Sequence, residues 1–158
     1  YKLYGFFRNY YWLDVGNPTT YLWANWDLLR KYAWPITPNG NEYDEIFVMG
    51  IINSGKDVIL EKPACFGENV TLNNRVKIRE LTSIGSEVKI GEDTKIEKST
   101  IWDNVKIGAG CIIDKSIVCN NCEVGDNVVL EKSILAPHCR VRDNTQLRDR
   151  TLELGEKI

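Results

Sequence analysis

Clustered positive charge and histidine are scarce in this sequence, and long apolar runs are absent. The 158 residues carry a net charge of −2 and one histidine, with no block of lysine and arginine. That balance gives no indication of a nucleic acid or an anionic membrane surface as a partner. The longest apolar run, Ile46 to Ile52, is far shorter than the about 20 residues that cross a bilayer. We therefore expect neither a nucleic-acid nor a membrane partner.

Signals for export are missing as well. The chain starts at Tyr1, its single methionine is Met49, and no signal peptide opens it. Its five cysteines are an odd number in a chain long enough to form a hydrophobic core, which argues against a secreted disulfide framework. We therefore expect a cytoplasmic protein and interpret the chain as a fragment of a longer one.

Aliphatic residues at fixed spacing organise the chain between residues 84 and 147. The steps are six, six and five residues, repeated three times and followed by two more steps of six. Each block of three steps spans 17 residues, and steps of six continue backwards to Leu60. Such a period is the signature of a repeat architecture. The positions are Ile84, Ile90, Ile96, Ile101, Ile107, Ile113, Val118, Val124, Leu130, Leu135, Val141 and Leu147.

A second fixed position lies two residues before each aliphatic one. It holds a small or β-branched residue in the steps of six, and Ser99, Ser116 or Ser133 in the steps of five. A helical period of 3.6 cannot give such steps, and a single strand would alternate every two residues. Three short strands per coil, joined by corners, explain both positions. Corners suit residues that accept a positive φ, such as Asn104 and Asn127.

The pattern therefore predicts a mainly β solenoid in which each coil covers its neighbour. A β-sandwich is the alternative, but its strands would vary in length and would not keep a 17-residue register. The steps resemble the hexapeptide repeat of left-handed parallel β-helices, and that resemblance implies the handedness. We expect about five coils over residues 58–150, a linker with lead-in strands over 34–57, and a charged capping tail over 151–158.

The first 33 residues follow a different pattern. Two aromatic-rich runs flank Arg8-Asn9, which indicates a β-hairpin over residues 1–15. Asn17 suits the N-cap of a helix and Pro18 its first turn, so we predict a helix that runs to about Ala33. The helix is apolar around much of its circumference and requires cover on more than one side.

Residues 11–29 also carry a sequence motif. The segment Tyr11-Trp12-Leu13-Asp14-Val15-Gly16-Asn17-Pro18 and the later Asn25-Trp26-Asp27-Leu28-Leu29 resemble the end of the catalytic domain of sugar-1-phosphate nucleotidyltransferases. Members of that family, such as mannose-1-phosphate guanylyltransferases and glucose-1-phosphate thymidylyltransferases, often continue into a left-handed β-helix with I-E-N-S-V-I steps. The corresponding steps here are Ile96-Glu97-Lys98-Ser99-Thr100-Ile101 and its two repeats. The resemblance implies that residues 1–33 are the end of an α/β catalytic domain.

In that family a nucleoside triphosphate reacts with a sugar 1-phosphate to give a nucleotide-sugar and pyrophosphate. The resemblance implies that Asp14, the carboxylate of the W-x-D motif, helps to hold Mg²⁺ in the parent enzyme. This agrees with the preference of Mg²⁺ for one or two carboxylates with phosphate oxygens and water. The Gly-rich phosphate loop of the family is absent from these residues, so we expect no catalytic residue, no bound cofactor and no activity in the chain alone.

Other reactive side chains have structural explanations. Lys62 lies in an E-K-P sequence that follows the W-x-D motif, whereas the family's E-K-P precedes it, so we predict a solvated corner residue. Cys119 and Cys122 form a CxxC without a second pair, and Cys122 occupies an inward small position. His138 lies in an unbroken step of six, and we predict a solvated coil residue. We expect Trp102 to point outward, toward a packing contact.

Two alternatives to the nucleotidyltransferase interpretation stay open. Many hexapeptide-repeat proteins are acyltransferases, which use a histidine beside a loop extruded from the coils, and the unbroken register argues against this. Some translation-initiation exchange-factor subunits share the two-part architecture as non-catalytic interaction proteins. In each case we expect a homo-oligomer, a trimer or a dimer, assembled through the β-helix.

Overall fold

A computed structural model describes residues 1–5 and 10–158. Its helix, α1 (Pro18–Leu29), begins at Asn17, which forms a capping box with Thr20. The amide of Thr20 donates to Asn17 Oδ1 at 2.9 Å, and the amide of Asn17 donates to Thr20 Oγ1 at 3.2 Å. The helix ends about one turn before the predicted Ala33. Lys31 takes a φ of 63°, and the amide of Tyr32 donates to the carbonyl oxygen of Asp27 at 2.8 Å.

The described residues before the helix, 1–5 and 10–17, contain no strand. Arg8 and Asn9, where the predicted hairpin would turn, lie outside the described residues. The segment is held to α1 by the hydroxyl of Tyr11, which donates to Asp27 Oδ2 at 3.0 Å. Burial raises the pKa of the Tyr11 hydroxyl, and the hydrogen bond to the carboxylate of Asp27 raises it further.

Short strands make up the rest of the chain. In chain order they are β1 (Asn41–Tyr43), β2 (Ile46–Val48), β3 (Ile52–Ser54), β4 (Ile59–Leu60), β5 (Ala64–Phe66), β6 (Val70–Leu72), β7 (Lys77–Ile78), β8 (Thr82–Ile84), β9 (Lys89–Ile90), β10 (Lys95–Glu97), β11 (Thr100–Ile101), β12 (Lys106–Ile107), β13 (Ile112–Asp114), β14 (Ile117–Val118), β15 (Glu123–Val124), β16 (Val129–Glu131), β17 (Ile134–Leu135), β18 (Arg140–Val141), β19 (Gln146–Arg148) and β20 (Thr151–Leu152).

The strands form the three faces of a parallel solenoid. One sheet has the order β1-β2-β5-β8-β11-β14-β17-β20, the second β18-β15-β12-β9-β6-β3, and the third β19-β16-β13-β10-β7-β4. Only the pairing of β1 with β2 is antiparallel among the described strands. Strands three apart in the chain pair in register, as Ile96 does with Ile113. The prediction of a mainly β solenoid is confirmed.

The prediction of about five coils is one coil short. Strands β2, β3 and β4 form a complete first coil, so the solenoid has about six turns and begins at Ile46. At the other end β20 starts a further turn, and the last residues lie along β18. There the amide of Ile158 donates to the carbonyl oxygen of Arg140 at 3.0 Å.

The core lies on the solenoid axis, where the sequence pattern places it. All twelve repeating aliphatic residues from Ile84 to Leu147 are buried, with at most 7% of their surface exposed. The small position is also buried in every step except the last, where Thr145 is half-buried. Ser99, Ser116 and Ser133 fill the same position at the tighter corners.

The buried serines form a hydrogen-bonded column. The hydroxyl of Ser116 donates to the carbonyl oxygen of Asp114 at 2.8 Å and accepts from the amide of Ser133 at 3.0 Å. Ser99 Oγ accepts from the amide of Ser116 at 3.0 Å. Each serine thus satisfies a buried amide of the next coil, which would otherwise lose its hydrogen bond.

The helix packs against the outer surface of the eight-stranded sheet. Its Leu22 and Leu29 are buried there, and so are Thr100 and Ile117, which point outward from β11 and β14. Residues that point outward from a sheet are normally exposed to solvent. The burial of Thr100 and Ile117 therefore identifies the surface that α1 covers. No helix among the described residues has the length and apolarity to cross a membrane.

Candidate functional site: the groove beside the helix

Asp14, the predicted metal ligand, is exposed just before the helix. Among the described residues, no group of three or more His, Cys, Asp and Glu side chains could hold a metal ion. The position supplies one carboxylate, and Mg²⁺ bound to a nucleotide needs only one or two from the protein. Asp14 therefore does not form a metal site with its described neighbours, and its role as a metal ligand stays a prediction.

Lys62 and His138 have the surroundings predicted for corner residues. Lys62 is exposed, and its ammonium group lies 2.8 Å from Asp44 Oδ1, the contact that raises its pKa. His138 is also exposed, with a φ of 65°, and its amide donates to the carbonyl oxygen of Asn120 at 3.0 Å. Neither residue lies in a cavity that the structure shows.

The cysteines are free thiols, and Cys111, Cys122 and Cys139 are buried in the core. Cys122 is fully buried, and its Sγ donates to the carbonyl oxygen of Ala136 at 3.2 Å. Burial raises the pKa of the Cys122 thiol to about 12, and it also raises the pKa of Cys119. Among the described residues, no group of three or more His, Cys, Asp and Glu side chains that could hold a metal includes this pair.

A cavity of about 580 Å³ lies between the first half of α1 and strands β14 and β17. Its apolar floor is formed by Leu22, Ile117 and Ile134, and its walls include the indoles of Trp23 and Trp26. Polar groups at its rim are Lys115, Lys132 and Asp149. A mainly apolar cavity with a few polar groups of this kind is the usual form of a binding site.

A second cavity of about 480 Å³ continues the first toward the end of the helix. Trp23, Trp26 and Lys115 line both cavities, so the two form one continuous groove along α1. The second cavity adds Asp27 and Arg30 from the helix side, and Leu81 and Lys98 from the solenoid side. We call the two cavities together the helix groove.

Three lysines form a column along the helix groove. Lys98, Lys115 and Lys132 occupy the same corner of three successive coils, because each follows the last residue of an in-register strand. Lys98 is neutralised by Glu80 at 3.2 Å and Glu97 at 3.3 Å. The other two lysines are less well neutralised. Lys115 has one contact, at 3.4 Å, with its chain neighbour Asp114, and Lys132 has no ion pair with any described residue.

The side chain of Trp26 lines the groove and has an unsatisfied donor beneath the surface. Its Nε1 atom is buried and has no hydrogen-bond partner among the described residues. A buried N–H without an acceptor is unusual and requires a specific explanation. Trp102 differs, because its Nε1 donates to the hydroxyl of Tyr21 at 3.2 Å. Trp102 therefore points outward, as predicted, and its contact is with the helix of the same chain.

The sequence showed the three lysines at constant spacing but not the groove that they line. The offset of 17 residues was the available signal, since it places equivalent side chains on one line of the solenoid. The helix that forms the other wall has no such period. Its position on the eight-stranded sheet depends on contacts between residues far apart in the chain, such as Tyr21 and Trp102 across 81 positions, so the helix groove was not predictable.

The coils, the buried serine column and the corner residues with positive φ define this chain as a hexapeptide-repeat left-handed β-helix protein. Its family is shown by a match over residues 44–147, about two thirds of the chain, to the EIF2B subunit epsilon LbH domain. The chain belongs to that family. A comparison with curated proteins finds no match.

Solved structures support the fold. The chain is similar to a point mutant of AntD, an N-acyltransferase from Bacillus cereus determined with dTDP and coenzyme A, at 13% identity and a TM-score of 0.58, over 65% of this chain and 75% of that one. A UDP-N-acetylglucosamine acyltransferase from Campylobacter jejuni matches at 20% identity and a TM-score of 0.27, over 70% of this chain and 68% of that one. At such identities the first likeness establishes the fold alone, and the second carries no weight.

Proposed function

We propose that this chain is the C-terminal portion of a sugar-1-phosphate nucleotidyltransferase, in which the solenoid assembles subunits and braces the catalytic domain. The observation that carries the proposal is the packing of α1 on the eight-stranded sheet. The helix follows directly after the W-x-D-x-G segment, and Leu22 and Leu29 anchor it to the solenoid. A domain that ends in this helix is thereby fixed to the β-helix.

Exposed aromatic residues that precede and follow the helix are available for contact with a partner domain. Trp12 is 81% exposed, Trp34 is 72% exposed and Tyr10 is 66% exposed. Exposed apolar side chains of this size are typical of a contact with another domain or protein. In the proposed parent this contact is the catalytic domain, and Asp14 provides one ligand to the Mg²⁺ that accompanies the nucleoside triphosphate.

The experiment uses the proposed parent, with the sequence upstream of Tyr1 included. Pyrophosphate release is measured with the four common nucleoside triphosphates and a panel of sugar 1-phosphates in Mg²⁺. Asp14→Asn removes a charged metal ligand and should abolish most of the activity while the fold stays intact. Asp57→Asn, at an exposed corner with a φ of 56°, is the matched control and should leave activity unchanged. Near-normal turnover by Asp14→Asn would overturn the metal assignment.

A second candidate is a non-catalytic interaction module of the exchange-factor type, and the family match to the EIF2B subunit epsilon LbH domain favours it. The same parent protein separates the two candidates. A parent that releases no pyrophosphate with any of these substrates, although Asp14 is intact, supports the interaction module. The acyltransferase alternative rests on likeness of fold alone, and the coils carry no extruded loop at His138.

A further inference from the structure

We propose that the helix groove is a docking site for an extended acidic peptide segment of a protein partner. The segment would lie along α1, with its carboxylates at Lys115 and Lys132 and an apolar side chain against the indoles of Trp23 and Trp26. This inference stands apart from the proposed function, because it uses neither Asp14 nor a nucleotide.

The dimensions of the groove favour a peptide. Helix α1 has twelve residues and is therefore about 18 Å long. On the other wall, the corners from Leu81 to Asp149 lie on five successive coils, which gives about 19 Å at the spacing of parallel strands. An extended chain advances about 3.3 Å per residue, so the groove accommodates roughly five to six residues. The two cavities that form it measure about 580 and 480 Å³.

The charge of the groove favours an acidic occupant. In the wider cavity Lys132 has no ion pair with a described residue, and Lys115 contacts only Asp114 at 3.4 Å. Two carboxylates of the lining, Asp149 in the wider cavity and Asp27 in the narrower one, partly offset the positive charge of the lysines. Lysines with weak or absent partners, beside an apolar floor, attract an anionic segment from solution and strengthen its contacts once water is displaced.

The indoles of Trp23 and Trp26 offer apolar surfaces to an aromatic or aliphatic residue of the segment. We therefore expect the occupant to combine acidic residues with at least one large apolar residue.

The test measures binding of the acidic peptide EEFEEL and its neutral counterpart QQFQQL to the 158-residue chain by calorimetry. We expect the acidic peptide to bind at low salt, the affinity to fall as salt is added, and the neutral peptide to bind at least about tenfold more weakly. The double variant Lys115→Glu with Lys132→Glu should weaken binding of EEFEEL by about tenfold or more. Lys106→Glu, an exposed lysine on another face, is the charge-matched control and should have less than about a twofold effect.

Equal losses in Lys106→Glu and in the double variant would show general charge attraction and overturn the proposal. Two other results would also overturn it: no binding of EEFEEL at millimolar concentration, or binding of inorganic pyrophosphate alone, which would make the groove a small-anion site.

Discussion

The indole Nε1 of Trp102 donates to the hydroxyl of Tyr21 at 3.2 Å, across 81 positions of the sequence. The two rings lie 6.2 Å apart at an interplanar angle of 55°, a tilted arrangement that aromatic pairs favour. This pair joins α1 to the outer surface of the solenoid. It therefore helps to set the width of the helix groove.

The first prediction concerns this pair. Tyr21→Phe removes the acceptor hydroxyl and Trp102→Phe removes the donor, and each should lower the free energy of unfolding by about 1 kcal/mol. The double variant should lose less than the sum, with a coupling of about 0.5–1.5 kcal/mol, because both changes remove one contact. Urea unfolding of the four proteins measures the coupling. Strict additivity would mean that the two side chains do not stabilise each other.

The second prediction concerns the register of the core. Ile107 is buried inside the solenoid and its neighbour Lys106 is exposed. Ile107→Ala should cost about 2–5 kcal/mol, because the closely packed coils cannot collapse onto the gap. Lys106→Ala is the control and should change stability by no more than about 0.5 kcal/mol. Denaturant melts in which the two variants lose equal stability would contradict the observed inside and outside positions.

The third prediction concerns the serine column. Ser116→Ala leaves the buried amide of Ser133 without its acceptor, and we expect a loss of about 1–3 kcal/mol. Ser54→Ala, at an exposed edge strand, is the matched control and should have little effect. Thermal unfolding followed by circular dichroism compares the two. A Ser116→Ala protein as stable as the wild type would mean that water replaces the hydroxyl.

The fourth prediction concerns the buried thiols. Burial raises the pKa of Cys122 from 9.0 to about 12, so folding favours the protonated thiol. This contribution to stability is complete below pH 9, the unfolded value, and is lost as pH rises from about 9 to about 12. A thiol reagent at about pH 8, just below the ordinary cysteine pKa, should therefore react with Cys122 slowly in the native chain and rapidly in urea. Cys122→Ala identifies the signal of this residue, and rapid native reaction at Cys122 would contradict its burial.

The fifth prediction concerns assembly. We expect the 158-residue chain to be a homo-oligomer, a trimer or a dimer, with the β-helix in the contact. The flat faces of the solenoid supply a surface that a symmetric contact would bury. Light scattering from low micromolar concentration upward tests this against the monomer mass of 18.1 kDa. A monomer mass at every concentration would contradict assembly through the solenoid.

The sequence by itself determined the solenoid and the direction in which its repeating side chains point. A coil contacts mainly the coils before and after it, so the fold is encoded in a short period that can be read locally. The positions from Ile84 to Leu147, the serine corners and the positive φ values at Asn104 and Asn127 all follow from that period. The predicted end of the helix was less accurate. Lys31 ends the helix with a left-handed φ, which cannot be predicted from a lysine in the sequence.

The tertiary structure alone decided the number of coils and the candidate site. The first coil was missed because Ser54 occupies the repeat position that aligns with Leu72 in the next coil, and the polar residue interrupts the aliphatic pattern. The helix groove depends on the placement of α1 on the eight-stranded sheet through pairs such as Tyr21 and Trp102. Those contacts join non-repeating residues far apart in the chain, and only the packed molecule brings the two indoles beside the lysine column.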